Sequence, residues 1–203
     1  VSINNEHGIA TLNMMKALTE HSNPDFLTFN SDATAALWEA GDLALATMWG
    51  SRAGPILDSE GSTEAITSTT VVASAPSFAG GSRPSSTLWW DGFAIASNVS
   101  DMDAEASFIA MMNGISSEMV KANNDLTVWL IDGYKAGPTA VGVSETAANG
   151  AAPYPMLPFM GTLHGAAGAE LTDFLQGNES AEQALSDIEA AYTAAAIEKG
   201  FLN

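Results

Sequence analysis

Cysteine is absent from this 203-residue chain, Lys+Arg number only 6 against 24 Asp+Glu, and there are 3 histidines. Without cysteine there is no disulfide framework, no thiolate metal site, no iron–sulfur cluster and no cysteine nucleophile. With so few cations there is no basic stripe to neutralise phosphates, which argues against nucleic acid as a partner. A sequence pI near 4.1 argues equally against anionic membrane surfaces. No apolar run approaches the roughly 20 residues that span a bilayer. His7, His21 and His164 form no HExxH or other paired set, so no zinc site of protein nitrogen and sulfur is expected. There is no GxSxG elbow, because Gly50-Ser51-Arg52-Ala53-Gly54 carries its serine one place early. Gly80-Gly81-Ser82 lacks the lysine and spacing of a phosphate loop, and no GxGxxG occurs. No catalytic residue, metal or cofactor is therefore assigned.

What is present is a chain that is 46% hydrophobic and only 15% charged, with a formal net charge of -18. That composition suits a packed core, in one medium domain or two small lobes, rather than a disordered polymer. The carboxylates are spread along the chain and lack ligand spacing such as that of an EF-hand loop, so they read as a solvated surface. Self-repulsion at this charge weakens the compact state unless salt screens it, which fits a salt-rich habitat. The opening Val1-Ser2-Ile3-Asn4-Asn5 has no initiator Met, basic region or apolar stretch. It reads as a processed precursor or a piece of a longer polypeptide, whereas the closing Phe201-Leu202-Asn203 reads as a natural end.

The clearest element is a helix over 180–199. Ser180 and Gln183 make a capping-box pattern, an apolar stripe runs from Ala181 through Leu185, Ile188 and Tyr192 to Ala195, and Gly200 stops it. Spacing also predicts helices over 6–20, over 31–41 with Ser31 or Asp32 as cap, and over 100–114. Shorter ones are expected at 117–123 and 169–176. Between them, Leu43 to Trp49, Ile66 to Ala73 and Phe93 to Ala96 read as short buried strands. Ala151 to Pro155 reads as a loop or crossover. Helices alternating with strands predict an α/β fold.

Both arginines lie on loops that follow expected strands and carry aromatic rings: Trp49-Gly50-Ser51-Arg52, and Arg83 leading to Trp89-Trp90-Asp91-Gly92. Apolar rings stack on the C–H faces of sugars, while Asp and Arg hold hydroxyls by charge-assisted hydrogen bonds. The competing reading has the tryptophans filling the core and the arginines pairing with surface acids.

Several stretches resemble one family. Gly8 to Leu18 fits "G-x-x-x-L-x-x-M-x-x-L". Ala36 to Leu45 is similar to "F-x-x-G-x-x-A-M", followed by the Gly50-Ser51 turn. Asp91 to Ile95 with Glu105, Ala106 and Phe108 is similar to "G-x-x-I … E-A-x-x-F", and Gly177 to Leu185 to "G-x-x-S-x-E-E-A-L". In order and spacing they resemble the C-terminal half of a family 1 extracellular solute-binding protein, the receptor of a bacterial carbohydrate ABC importer. The resemblance implies an α/β, periplasmic-binding-protein-like (type II) two-lobe fold, incomplete here, with the N-terminal part of the first lobe missing. It assigns residues 1–90 and 151–203 to the C-terminal lobe and 91–150 to a segment returning to the N-terminal lobe. It implies an exported, periplasmic, monomeric, non-enzymatic receptor, whose partners are a small carbohydrate or polyol, a membrane permease and the missing N-terminal half. Trp49, Gly50, Ser51, Arg52, Trp89, Trp90, Asp91 and His164 become the candidate ligand contacts. Arg52 stands where many relatives place a stacking aromatic, Asp91 where many place Trp, and His164 near the position of a further aromatic platform. Fewer flat rings and more charged groups suggest a monosaccharide, polyol or small acidic sugar. The alternative is a carbohydrate-active hydrolase or lyase with paired carboxylates; a third reading is a structural or interaction domain from a salt-adapted organism.

Overall fold

The computed structural model describes residues 1–203 and is built mostly of helices, with a single sheet of two strands, each two residues long. The helices are α1 Glu6–Thr19, α2 Ser31–Glu39, α3 Ala53–Ile56, α4 Glu64–Thr69, α5 Asp101–Gly114, α6 Ser117–Ala122, α7 Val141–Ala148, α8 Pro158–Gln176 and α9 Ala181–Glu198. Strands β1 Thr87–Leu88 and β2 Ala152–Pro153 run parallel, Thr87 opposite Ala152 and Leu88 opposite Pro153. This overturns the type II α/β two-lobe expectation, because none of the three expected strands forms. Residues 43–49 and 93–96 join no backbone ladder, and Leu45 and Phe93 are 90% and 69% exposed. Ile66 instead enters α4, whose first turn is capped by the Thr63 hydroxyl accepting from the Ile66 N–H. An apolar, β-branched run becomes a buried strand only where a neighbouring backbone satisfies its N–H and C=O groups and a second layer covers its side chains. Here neither condition holds, and Val71 is left 83% exposed.

The chain divides into two compact units, residues 1–29 with 155–203, and residues 30–154. The first is a three-helix unit of α1, α8 and α9. Asn5 caps α1 by accepting from the His7 and Gly8 N–H groups, and Ser180 caps α9 by accepting from Gln183. Gly177 ends α8 in the left-handed conformation, φ 86°, which glycine adopts without a Cβ clash. Leu12 of α1, Phe174 of α8 and Ala181, Ala184 and Leu185 of α9 form its buried cluster, flanked by Ile9, Met15, Leu171 and Leu175. Ile188, Tyr192 and Ala196 are buried farther along α9. Small residues let the helices approach closely. At Gly8 a Cβ would collide with the Ile3 carbonyl oxygen and come within 3.1 Å of Leu185 Cδ1.

The N-terminal segment is tied to this unit by one carboxylate. Glu189 accepts from the Ile3 N–H at 2.5 Å and the Asn4 N–H at 2.8 Å. Those two backbone donors, Asn4 first, hold the Glu189 carboxyl below the ordinary glutamate range. A carboxyl depressed on folding stabilises the folded form above its unfolded pKa, and that contribution is lost as pH falls through the folded value. Glu189→Gln should therefore be less stable than the parent at neutral pH, with the gap closing once both are acidified below the glutamate range. Paired urea titrations across pH check this; a gap independent of pH would show that the carboxylate charge is not what holds the segment.

In the second unit Ala53, Ile56, Val120, Ala140 and Ala151 are buried. Thr146 is its buried polar anchor. Its Oγ1 donates to the Gly142 carbonyl at 2.6 Å and accepts from the Ala75 N–H at 2.9 Å, fastening an irregular segment to α7. Trp38 Nε1 donates to Thr70 Oγ1 at 3.0 Å, joining α2 to the end of α4.

Candidate ligand-binding site

Trp49 precedes a 3₁₀ turn over Gly50–Arg52 that runs directly into α3. The turn sits hard against α7. A Cβ on Gly50 would collide with Val143 Cγ2, so glycine is what lets the turn pack against the Val143 side chain. Ser51 is exposed and Arg52 half-buried. Arg52 Nη1 meets Asp32 Oδ1 in α2 at 2.7 Å, with the two side chains 40% and 73% exposed. An ion pair this exposed contributes about 0–1 kcal/mol, so the guanidinium can be surrendered to an oxygen-rich ligand at little cost.

The other arm arrives through the sheet. Tyr154 N–H donates to the Leu88 carbonyl at 2.9 Å, continuing the parallel ladder by one residue. Trp89 follows β1 and Tyr154 follows β2, and the two rings stack with centroids 3.9 Å apart at 27°. Trp89 also meets Trp49 edge to face, 5.5 Å between centroids and 89° between planes. The two arms singled out from sequence, 40 residues apart, thus converge on one aromatic cluster. Arg83 anchors the second arm, its Nε donating to the Gly150 carbonyl at 2.9 Å.

The core-filling alternative fails for the tryptophans, since Trp49, Trp89 and Trp90 are 52%, 41% and 42% exposed. Its second half holds for Arg52, which does pair with a surface acid. Trp90 and Asp91 lie on the exposed stretch after Trp89, and Trp90 is outside the ring cluster. His164, the remaining candidate contact, is an exposed residue of α8 in the three-helix unit. Tyr154 is the contact that sequence reading missed. The only signal for it was an aromatic among the prolines of Pro153-Tyr154-Pro155, and the β1–β2 register alone sets it against Trp89.

Two open hollows of about 410 and 340 Å³ lie elsewhere, between residues 93–99 and α5. Phe93, Ile95, Phe108, Met111, Met112 and Ile115 line the smaller, and Ser107 is the sole hydroxyl side chain along the larger. They cannot orient a polyhydroxylated guest, which needs several placed donors and acceptors. No group of three or more His, Asp or Glu side chains is placed to hold a metal ion. No helix is long and apolar enough to cross a membrane. No known protein family matches the chain, and no curated protein is significantly similar to it.

Proposed function

We propose that this chain is a solute-binding receptor component of a bacterial ABC importer, exported to the periplasm, that takes a monosaccharide, polyol or small acidic sugar without turning it over. The observation that carries the reading is the meeting of Trp49 and Trp89, two half-exposed indoles from distant loops, with Arg52 on the turn that follows Trp49 and held by an exposed carboxylate. Exposed rings have a hydration cost that a sugar's C–H face relieves, and Arg52 supplies donors in a fork suited to vicinal hydroxyls or a carboxylate. Trp90 and Asp91 extend the same arm, and Gly50 and Ser51 offer a close backbone and a hydroxyl. The resemblance of the stretches from Gly8, Ala36, Asp91 and Gly177 to motifs of family 1 receptors points to the same class. The partners in this reading are the small carbohydrate or polyol, the membrane permease and a remaining N-terminal portion of the receptor, whose packing would cover exposed apolar residues such as Phe108 and Ile109 of α5.

Calorimetric titration of the chain with a panel of monosaccharides, polyols and uronic acids tests this. Saturable heat with at least one member is expected, and silence across the panel overturns the reading. On a ligand that binds, Asp91→Ala should cost about 1–3 kcal/mol of affinity if its carboxylate is enclosed on binding; unchanged affinity removes Asp91 from the site. Chromogenic glycosides separate this reading from a carboxylate-pair hydrolase: product beyond one equivalent would establish an enzyme.

A further inference from the structure

Trp89 is gripped from several directions. Its Nε1 donates to Thr87 Oγ1 at 2.9 Å, the Tyr154 ring covers it at 3.9 Å, and Trp49 meets it at 89°. The parallel register fixes where Tyr154 stands: Leu88 lies opposite Pro153, and the Tyr154 N–H closes on the Leu88 carbonyl. Backbone pairing therefore dictates one ring, and that ring sets the tilt of the next. We propose that Tyr154 is a positioning residue of the platform, holding Trp89 perpendicular to Trp49, and that the resulting corner favours a cyclic sugar over its open-chain polyol.

The second half of the proposal rests on the receptor reading given above. Two perpendicular rings can meet a pyranose on its C–H face and on its edge at once, as a single parallel stack cannot. A pyranose brings that shape ready-made. The corresponding alditol must freeze several freely rotating bonds to imitate it and pays for this in entropy. Arg52, on the turn that follows Trp49, then meets the hydroxyl rim.

The test compares the 203-residue parent with Tyr154→Ala and Tyr154→Phe, first checked for unchanged far-UV circular dichroism. The near-UV difference between each protein and its Trp49→Ala counterpart reads the Trp49–Trp89 coupling without any ligand, because the signals of the other tryptophans and of Tyr154 itself cancel in that difference. It should weaken in Tyr154→Ala and persist in Tyr154→Phe, which keeps the stacking ring. A coupling unchanged in Tyr154→Ala overturns the positioning role. Titration with glucose, galactose, mannose and their alditols reads the second part. The parent should prefer the ring forms, and Tyr154→Ala should lose about 2- to 10-fold in pyranose affinity, the range of one aromatic pair, and most of that preference. Equal binding of ring and open forms by the parent, or a preference untouched in Tyr154→Ala, overturns the specificity. No binding by the parent overturns the specificity and the receptor reading together, while the near-UV comparison still decides the positioning role.

Discussion

Phe174→Ala should destabilise the three-helix unit by about 3–5 kcal/mol, the usual cost of emptying a buried phenylalanine site. Phe174 is 5% exposed, and its neighbours Ala181, Ala184 and Leu185 lie on α9, with Leu12 across on α1. Alanine side chains cannot reach into the space left behind, so the cavity stays open rather than collapsing. Leu18, 58% exposed on α1, is the matched control, and Leu18→Ala should change stability by no more than about 0.5 kcal/mol. The probe must report on this unit. All five tryptophans fall within residues 30–154, so indole fluorescence would follow the other one. Amide exchange along α9, followed through a urea series, is the appropriate readout, with the loss appearing as a lower midpoint. A loss below about 1 kcal/mol, at the low end for core truncations, would mean that the three helices are not packed around Phe174 as described.

Trp49→Ala should weaken ligand binding by about 2 kcal/mol, roughly 30-fold, the level at which a central aromatic anchor dominates an interface. The stability of residues 30–154 should move far less, because half of the indole is already in water. The loss combines two effects. One is the removed stacking surface, and the other is the freedom given to Trp89, which loses its edge-to-face neighbour. Trp90→Ala provides the comparison, since Trp90 is as exposed as Trp89 but stands outside the cluster. A larger loss from Trp90 than from Trp49 would move the platform one residue along the chain and away from the corner.

The longer helices α1, α5 and α9 were legible in advance because they are encoded locally, whereas α3 and α7 were not expected and α4 holds part of an expected strand. Ser180 and Gln183, Ser100 before Asp101 and Gly200 after Lys199 are signals within one turn of the ends they set, and α9 and α5 follow them. Small errors remained at caps: α2 starts from Asn30, whose side chain accepts from the Ala33 N–H, rather than from Ser31 or Asp32. The part of α8 before Ala169, which holds Pro158, Gly161, Gly165 and Gly168, was not expected. Pro158 sits in the first turn, where its missing N–H costs nothing. The glycines are tolerated because helix packing offsets their poor propensity.

The strands failed for the opposite reason. Leu43 to Trp49, Ile66 to Ala73 and Phe93 to Ala96 have suitable side chains, but a strand is a property of a pair, and pairing partners are not written in the segment itself. The pairing that did form, Thr87–Leu88 with Ala152–Pro153, joins residues 65 apart and includes a proline that no local rule would choose.

By itself the sequence determined the helices α1, α5 and α9, the absence of any thiol, and the two stretches that pair aromatic rings with an arginine. Each depends on residue type or spacing within a few turns. Only the tertiary structure decided that those stretches meet, that Tyr154 joins them, and that the expected sheet is absent. These are contacts between residues tens of positions apart, and their formation depends on which backbones find partners and which rings are left facing water.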